Sequence, residues 1–111
     1  MYLYPLKAKF APTQSPTQLD ITWAAGLFEG EGSSKAEGLL SISQVNFWVV
    51  AKLRALFGGS IHRREARIVN GRNNKAIYEW SLYGARARGV AMTIFSFMSP
   101  KRKDQLQKLW R

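Results

Sequence analysis

Stretches of helical and of strand periodicity alternate along this chain, and their order limits the fold more than any other feature of the sequence. Apolar residues recur at helical spacing over residues 47–57, whereas residues 76–83 alternate between apolar and polar as a strand does. The whole pattern predicts the order α-ββ-α-ββ-α, with an arm before it and a short helix after it. Consecutive strand pairs favour an antiparallel sheet with helices on one face, an α+β fold.

Glycine, proline and capping residues set the expected boundaries of these elements. Residues 1–14 read as an N-terminal arm, and residues 15–111 suit a single domain. Ser15 followed by Pro16 predicts the start of the first helix, which should end at the glycines that follow Glu29. A strand is expected over 39–45, followed by a helix over 47–57 that Asn46 caps and Gly58 ends. Strands are expected over 60–65 and 76–83, with a loop over 66–75 between them. A third helix should begin at Gly84 and be followed by a terminal segment capped by Ser99, and the residues that this helix should bury are Val90, Ala91, Ile94, Phe97 and Met98.

Positive charge is concentrated in the second half of the chain. Residues 1–51 hold three basic and four acidic residues, whereas residues 52–111 hold fourteen basic and three acidic residues, a net charge of +11. Such an asymmetry predicts a surface that binds phosphate groups, built mostly from the second half. A membrane surface is a weaker expectation, because the basic residues do not follow one long amphipathic helix.

The residues that the chain lacks exclude several classes of site. There is no cysteine, which excludes disulfides, thiol catalysis and cysteine-based zinc sites. The single histidine, His62, argues against a histidine-rich metal centre and a Ser-His-Asp triad. No apolar run approaches the ~18–20 residues of a membrane span, and the N-terminal prolines do not suit a secretory signal. We therefore expect an intracellular protein of the cytoplasm, nucleoid or an organelle, with no membrane partner.

Residues 23–32, with the sequence WAAGLFEGEG, are the most informative stretch. Thr22, Gly26 and Gly30 form a stripe of small residues at helical spacing, which lets two helix backbones approach closely. Glu31 is expected just past the last helical turn, between two glycines. A carboxylate beyond the C-terminal end of a helix is disfavoured unless a cation is present, and hard divalent cations such as Mg²⁺ take oxygen ligands.

The nine residues Ala24–Gly32 resemble the motif of the LAGLIDADG homing endonucleases. Four of the nine positions are identical, and Phe28, Glu29 and Glu31 are conservative replacements. The order α-ββ-α-ββ-α is also this family's layout, so the resemblance covers residues 16–106. It implies an αββαββα unit whose curved antiparallel sheet is backed by helices.

The resemblance implies a metal-dependent, site-specific double-stranded DNA endonuclease. A chain with one motif is expected to act as a homodimer on a pseudo-palindromic site. Glu31, with the adjacent Gly30, is then expected to bind Mg²⁺ at the scissile phosphates, and Glu29 is expected to be structural. The residues implied for the dimer interface are Thr22, Ala25, Gly26, Glu29 and Gly30.

The resemblance also implies polar and basic residues around the metal. Gln44 matches a polar position at the end of the second strand, near the catalytic water. After the third helix the family has a basic residue in the pattern basic-x-x-Gln, which selects Arg102 with Gln105. Lys101 and Lys103 remain rivals for that position. Where the family can have a basic residue after Gln44, this chain has Trp48, with Lys52 one turn further.

Alternation along the strands separates a helix-facing side of the sheet from an outer side. The helix-facing side should carry Leu40, Ile42, Ile61, Tyr78, Trp80 and Leu82. The outer side should read base edges in the major groove through Ser41, Ser43, His62, Arg64, Ile77, Glu79 and Ser81. Contacts to phosphates are expected from Lys35, Arg67, Arg72, Lys75, Arg86 and Arg88.

Two other functions fit the same pattern. A LAGLIDADG-like protein that binds structured RNA and assists intron splicing would use the basic sheet without needing Glu31. A DNA-binding protein on the same fold would bind without cleavage. Both acids of the motif are intact, which favours the nuclease.

Overall fold

Helices and short antiparallel strands make up most of the described chain. The computed structural model describes residues 11–35, 38–65, 67–69, 72–74 and 76–109. In chain order the elements are α1 (Gln18–Glu31), β1 (Gly32–Lys35), β2 (Leu39–Gln44), α2 (Phe47–Phe57), β3 (Ser60–Arg64), β4 (Arg67–Val69), β5 (Arg72–Asn74), β6 (Ile77–Tyr83), α3 (Gly84–Ile94), a 3₁₀ turn (Phe95–Phe97) and α4 (Pro100–Leu109). The predicted α+β class is confirmed. Within the described ranges, no helix combines the length and apolar character that crossing a membrane requires.

Helix α1 begins later and ends later than the sequence pattern predicts. Its N-cap is Thr17, whose hydroxyl accepts a hydrogen bond from the Asp20 amide at 3.1 Å while the Asp20 carboxylate accepts one from the Thr17 amide at 2.9 Å. The prediction of Ser15 as the cap is therefore wrong, because the reciprocal capping box forms two residues further on. The helix continues through Gly30, and Glu31 is its last residue rather than a residue beyond it.

Gly32 follows the last residue of α1 at a position that has no room for a side chain. Its backbone is extended, and its amide donates to the carbonyl of Phe28. A Cβ at Gly32 would overlap the ring and the carbonyl oxygen of Phe28. The chain can therefore leave the helix and enter β1 directly, which fixes the position of Glu31 at the junction.

Helix α2 has the predicted boundaries. The Asn46 side chain accepts a hydrogen bond from the Trp48 amide at 3.0 Å, and Gly58 ends the helix with a φ of 78°. The amides of Thr13 and Gln14 donate to the carbonyl of Ala55, at 2.9 and 3.1 Å. The end of the predicted arm thus satisfies a carbonyl in the last turn of α2, a group that lacks an intrahelical donor.

Four strands form one antiparallel sheet in the order β1-β2-β6-β3. The register places Ser41 opposite Ser81, Ser43 opposite Glu79, and His62 opposite Glu79 on the other side. Strands β4 and β5 form a separate two-stranded ribbon. The prediction of a loop over 66–75 is therefore wrong for residues 67–69 and 72–74.

The helices pack on one face of the sheet over a single hydrophobic cluster. The helix-facing strand residues Leu40, Ile42, Ile61, Trp80 and Leu82 are all buried in it, as predicted, and Tyr78 is partly buried against it. The Trp80 ring donates from Nε1 to the carbonyl of Gly58 at 2.8 Å, so its polar group is satisfied inside the core. The alternate residues of these strands therefore lie on the outer face, away from the helices.

The segment after α3 differs from its prediction. Helix α3 ends at Ile94, and the 3₁₀ turn redirects the chain so that Met98 is buried while Phe97 is 48% exposed. The expectation that Phe97 belongs to the core is wrong, because the tighter turn changes the phase of the helix. In α4, Leu106 is buried and anchors the helix to the core.

Candidate active site and nucleic-acid interface

The C-terminal end of α1 and the N-terminal end of α4 meet through Glu29 and Ser99. The Ser99 amide donates to Oε1 of Glu29 at 2.8 Å, and the Ser99 hydroxyl donates to Oε2 at 2.9 Å. The same hydroxyl accepts from the Arg102 amide at 3.3 Å, as an N-cap residue does three positions later in a helix. Ser99 therefore caps α4 and, through its hydrogen bonds to Glu29, also joins α4 to α1.

These hydrogen bonds favour the ionised form of Glu29. The Ser99 amide lowers the pKa of the Glu29 carboxyl most, with smaller contributions from the Ser99 hydroxyl and the charge of Arg102, against desolvation, which raises it. The pKa of Glu29 lies below its ordinary value as a result. The carboxylate is thus engaged within its own chain.

Arg102 lies against the last turn of α1. Its Nε donates to the carbonyl of Glu29 at 3.2 Å, and its Nη1 donates to the side-chain oxygen of Gln105 at 3.1 Å. Its guanidinium carbon lies 5.6 Å from the centroid of the Phe28 ring. The basic-x-x-Gln spacing thus corresponds to a hydrogen bond, and the cation lies near the helix end that bears Glu31.

The other two basic residues of this segment have different surroundings. Lys101 is exposed. Lys103 has its ammonium 5.5 Å from the centroid of the Phe95 ring. Of these three basic residues, only Arg102 has a hydrogen bond to α1 among those found in the described part of the chain. The geometry therefore favours Arg102 for the position that the sequence left open.

Glu31 is exposed at the last position of α1. The chain turns into β1 at Gly32, so the carbonyl of Gly30 has no intrahelical donor. A carboxylate and a main-chain carbonyl are oxygen ligands of the kind that Mg²⁺ accepts, and they lie at the negative end of the helix dipole. The donor chemistry fits Mg²⁺. Among the described residues, no group of three acidic or histidine side chains is placed to hold a metal.

Gln44 lies at the same end of the sheet as Glu31. Gly32 is opposite Ile42 in the register of β1 and β2, and Gln44 is the last residue of β2. Gln44 is partly exposed and opposite Tyr78. The structure therefore brings Glu31 and Gln44 to the same end of the sheet.

Lys52 is directed away from that edge. Its ammonium is 3.6 Å from the Asp20 carboxylate and 4.5 Å from the centroid of the Trp23 ring, while Trp23 and Trp48 meet edge to face at 6.1 Å. Asp20 and Glu31 are separated by roughly 16 Å along the helix. Lys52 thus stabilises the contact of α1 with α2 and does not replace the basic residue that the family can have near Gln44.

One face of α1 is open. Thr22, Gly26 and Gly30 are exposed, and Leu19 on the same side is 81% exposed. A Cβ added at either glycine would meet nothing within 4 Å. Packing within the described chain therefore gives no reason for glycine at these two exposed helical positions, where alanine is more stable by about 1 kcal/mol.

Two residues predicted for the dimer interface, Ala25 and Glu29, make contacts within their own chain. Ala25 is 2% exposed and belongs to the hydrophobic cluster of its own chain. Glu29 is partly buried with both carboxylate oxygens bonded to Ser99. The assignment of Ala25 is corrected, because its side chain lies in the core of its own chain, whereas Glu29 is partly exposed and its assignment stays a prediction.

The outer face of the sheet presents most of the predicted polar residues. Ser43, Glu79 and His62 form a row across three strands, with His62 exposed and the other two partly exposed. Arg64 is exposed and Ile77 is opposite it, at the edge that bears Gln44. Ser81 is partly exposed in the next row.

Ser41 departs from its predicted role. It lies on the outer face by register, between Ser33 and Ser81, but it is only 2% exposed. A side chain this deeply buried cannot reach a base edge, and the assignment of Ser41 as a DNA contact is corrected.

The predicted phosphate contacts fall into two groups. Arg86 and Arg88 are exposed in the first half of α3, at the end of the sheet opposite Glu31. Arg67 and Arg72 belong to the ribbon, and Lys35 is opposite Leu39, but the structure describes only the backbone of these three residues. Lys75 lies outside the described residues. The predictions for these last four side chains stay predictions.

Ser99 is the residue that the sequence interpretation missed. The Ser99-Pro100 pair predicts a helix cap, and the structure confirms it, but the hydrogen bond to Glu29 joins residues seventy positions apart.

Comparison of the chain with models of protein families, with curated proteins and with solved structures finds no match.

Proposed function

We propose that this chain is a metal-dependent, site-specific double-stranded DNA endonuclease of the LAGLIDADG type that acts as a homodimer. The observation that carries the proposal is the position of Arg102, which is hydrogen-bonded to the last turn of α1 near the exposed Glu31. A carboxylate that can bind a metal cation, Glu31, and a guanidinium that can bind a phosphate, Arg102, thus lie at the same end of α1. A carboxylate can hold a divalent cation and a guanidinium can stabilise the charge that develops on the phosphate, and both assist phosphodiester hydrolysis.

Each residue at this end has a distinct role in the proposed reaction. Glu31 and the carbonyl of Gly30 would hold Mg²⁺, which when bound supplies positive charge at the phosphate and makes a coordinated water more acidic. Arg102 binds a phosphate oxygen and stabilises the charge that develops there. Gln44, at the same edge, orients the attacking water through its amide.

The open face of α1 supports the dimer. One chain supplies a single Glu31, and two carboxylates near the phosphates of two strands require two copies. If the glycine face of α1 packs against the same face of a second copy, both Glu31 residues lie near the two-fold axis. The absence of side chains at Gly26 and Gly30 permits this close approach.

The outer face of the sheet supports sequence recognition. Ser43, His62, Glu79 and Ser81 provide both donors and acceptors, which is what discrimination between base pairs in the major groove requires. The exposed arginines contribute affinity through phosphates. The proposal assigns base reading to the outer face and cleavage to its Glu31 edge.

Replacement of Glu31 by glutamine tests the proposal. A target duplex is first obtained by selecting the fragments that the chain binds from a random DNA pool in Ca²⁺. In Mg²⁺ the natural chain should cleave both strands of this target, and Glu31→Gln should bind it but cleave at least 100-fold more slowly. Asp104→Asn is the matched control, because it removes one negative charge from an exposed residue that pairs with Lys108 at 3.0 Å.

Other outcomes have clear meanings. Full cleavage by Glu31→Gln would contradict the assignment of Glu31. Selective binding without cleavage by the natural chain would favour the non-cleaving DNA-binding protein, and preference for a structured RNA would favour the splicing cofactor.

A further inference from the structure

Arg102 lies against Glu29 and forms no salt bridge with its carboxylate in the structure. The salt bridges found between described residues do not include it. Its two hydrogen bonds go to neutral acceptors, the carbonyl of Glu29 and the amide oxygen of Gln105. A guanidinium has five N–H donors and stays protonated, so this arrangement orients the group and leaves further donors for a phosphate, while its charge acts on Glu29 at a distance and without a direct hydrogen bond to that carboxylate.

Ser99 accounts for the availability of that charge. Its amide and its hydroxyl donate to Oε1 and Oε2 of Glu29. Glu29 is also the residue whose main-chain carbonyl accepts the hydrogen bond from Arg102. The serine hydroxyl has one proton, which it gives to Glu29, and its oxygen accepts from the Arg102 amide. A carboxylate without the hydroxyl donor would attract the guanidinium, because charged pairs are stronger than bonds to neutral acceptors.

We propose that Ser99 is a positioning residue that occupies Glu29 and thereby leaves the charge of Arg102 available to a nucleic-acid phosphate. The inference rests on the proposed function, since it concerns the phosphate that Arg102 would bind there. Ser99 itself does not contact the phosphate. Its effect passes through Glu29, and removal of that acid's charge should therefore cancel the need for Ser99.

Four variants test the inference through DNA affinity and its dependence on salt. They are Ser99→Ala, Ser99→Thr, Arg102→Gln and the double variant Ser99→Ala/Glu29→Gln. Each is titrated with the selected duplex in Ca²⁺ at several salt concentrations, after circular dichroism has shown that the chain is folded. The slope of log K against log salt reports the number of phosphate contacts, at about 0.9 for each contact.

Ser99→Ala frees only Oε2, because the amide of residue 99 still donates to Oε1, so it should bind more weakly by up to about tenfold for each protomer, with its slope reduced by at most about 1, the change expected for Arg102→Gln. Ser99→Thr keeps the hydroxyl and should bind as the natural chain does. The double variant should regain the natural slope, because a neutral residue 29 cannot pair with Arg102. This last result separates the inference from simple loss of the α4 cap, which a change at residue 29 would not repair.

The inference is overturned if Ser99→Ala keeps the natural slope, or if the double variant binds no better than Ser99→Ala. Cleavage in Mg²⁺ is measured separately and tests the proposed function. Natural chain that binds the duplex without cleaving it would contradict the nuclease while leaving the role of Ser99 to the affinity data. Natural chain that binds neither the duplex nor any selected fragment would contradict both.

Discussion

Glu29 and Glu31 are two residues apart in α1, and their surroundings give the two carboxylates different capacities. Glu29 accepts two hydrogen bonds from Ser99 and is partly buried, so each of its oxygens is already engaged within the chain. Glu31 is exposed beside the helix end that carries partial negative charge. A cation would relieve an unfavourable field at Glu31 and would compete with existing bonds at Glu29. The metal ligand is therefore expected at Glu31.

The contact between α1 and α4 should depend on the ionisation of Glu29. Because its pKa is lowered, mainly by the Ser99 amide, the contact is fully stabilised above the ordinary value of 4.5 and is lost as the pH falls through the lower folded value. The amide resonance of Ser99, followed by NMR as the pH is lowered, should shift in that acidic window. Glu29→Gln should abolish the shift, and Asp104→Asn should retain it. A Ser99 resonance that titrates equally in Glu29→Gln would contradict the assignment.

The parts of the site that are local in sequence could be predicted, and the long-range parts could not. The spacing of Arg102 and Gln105 is a helical i, i+3 pair, and the structure shows the hydrogen bond that this spacing permits. The bond between Ser99 and Glu29 depends on how α4 returns to α1, which no local pattern encodes. The burial of Ser41 also depends on its neighbours, because alternation gives the face of a strand residue and not its depth.

At the scale of elements, boundaries depended on competition between equivalent signals. Ser15 with Gln18 and Thr17 with Asp20 both have the spacing of a capping box, and the structure forms the second of these pairs. Among the described residues, Ser15 makes no hydrogen bond through its side chain. Helix α1 continues through Gly30 and ends before Gly32, where the Phe28 ring occupies the space of a side chain. Composition alone does not distinguish these two glycines.

Gly26→Ala should affect helix stability and assembly in opposite directions. Within one chain the added Cβ meets nothing within 4 Å, so alanine should raise the free energy of unfolding by about 1 kcal/mol in urea titrations at low protein concentration. If a second α1 packs closely on this face, the same methyl group should prevent its approach. Sedimentation with target DNA in Ca²⁺ should then show fewer dimers than the natural chain forms.

Gly89 in α3 provides the matched control for Gly26. It is also exposed in a helix, and an added Cβ there meets nothing within 4 Å. Gly89→Ala should therefore raise the free energy of unfolding by a similar amount and leave sedimentation with DNA unchanged. Equal dimer formation by Gly26→Ala and the natural chain would exclude close packing of the two helices at residue 26.

At the scale of the whole molecule, the sheet has two ends with different chemistry. Glu31, Gln44 and Arg64 lie at one end, whereas α3 and its exposed arginines begin at the other. The row of Ser43, Glu79 and His62 lies between them on the outer face. Under the proposed function, one such unit would present one acid at the end of one recognition surface, which is half of what cutting two strands would need.

Mixing active and inactive chains tests whether cleavage requires two copies. When the natural chain and Glu31→Gln are unfolded together in equal amounts and refolded, random pairing leaves about one quarter of the dimers with two natural chains. If both Glu31 residues are needed to cut both strands, the rate of linear product from a plasmid carrying the target should fall to about one quarter at constant total protein. A monomeric nuclease would keep about one half, because each natural chain would remain active on its own. Refolding the natural chain alone controls for losses during refolding. A cleavage rate near one half of that control would contradict the dimer, because it would mean that each natural chain cleaves without a natural partner.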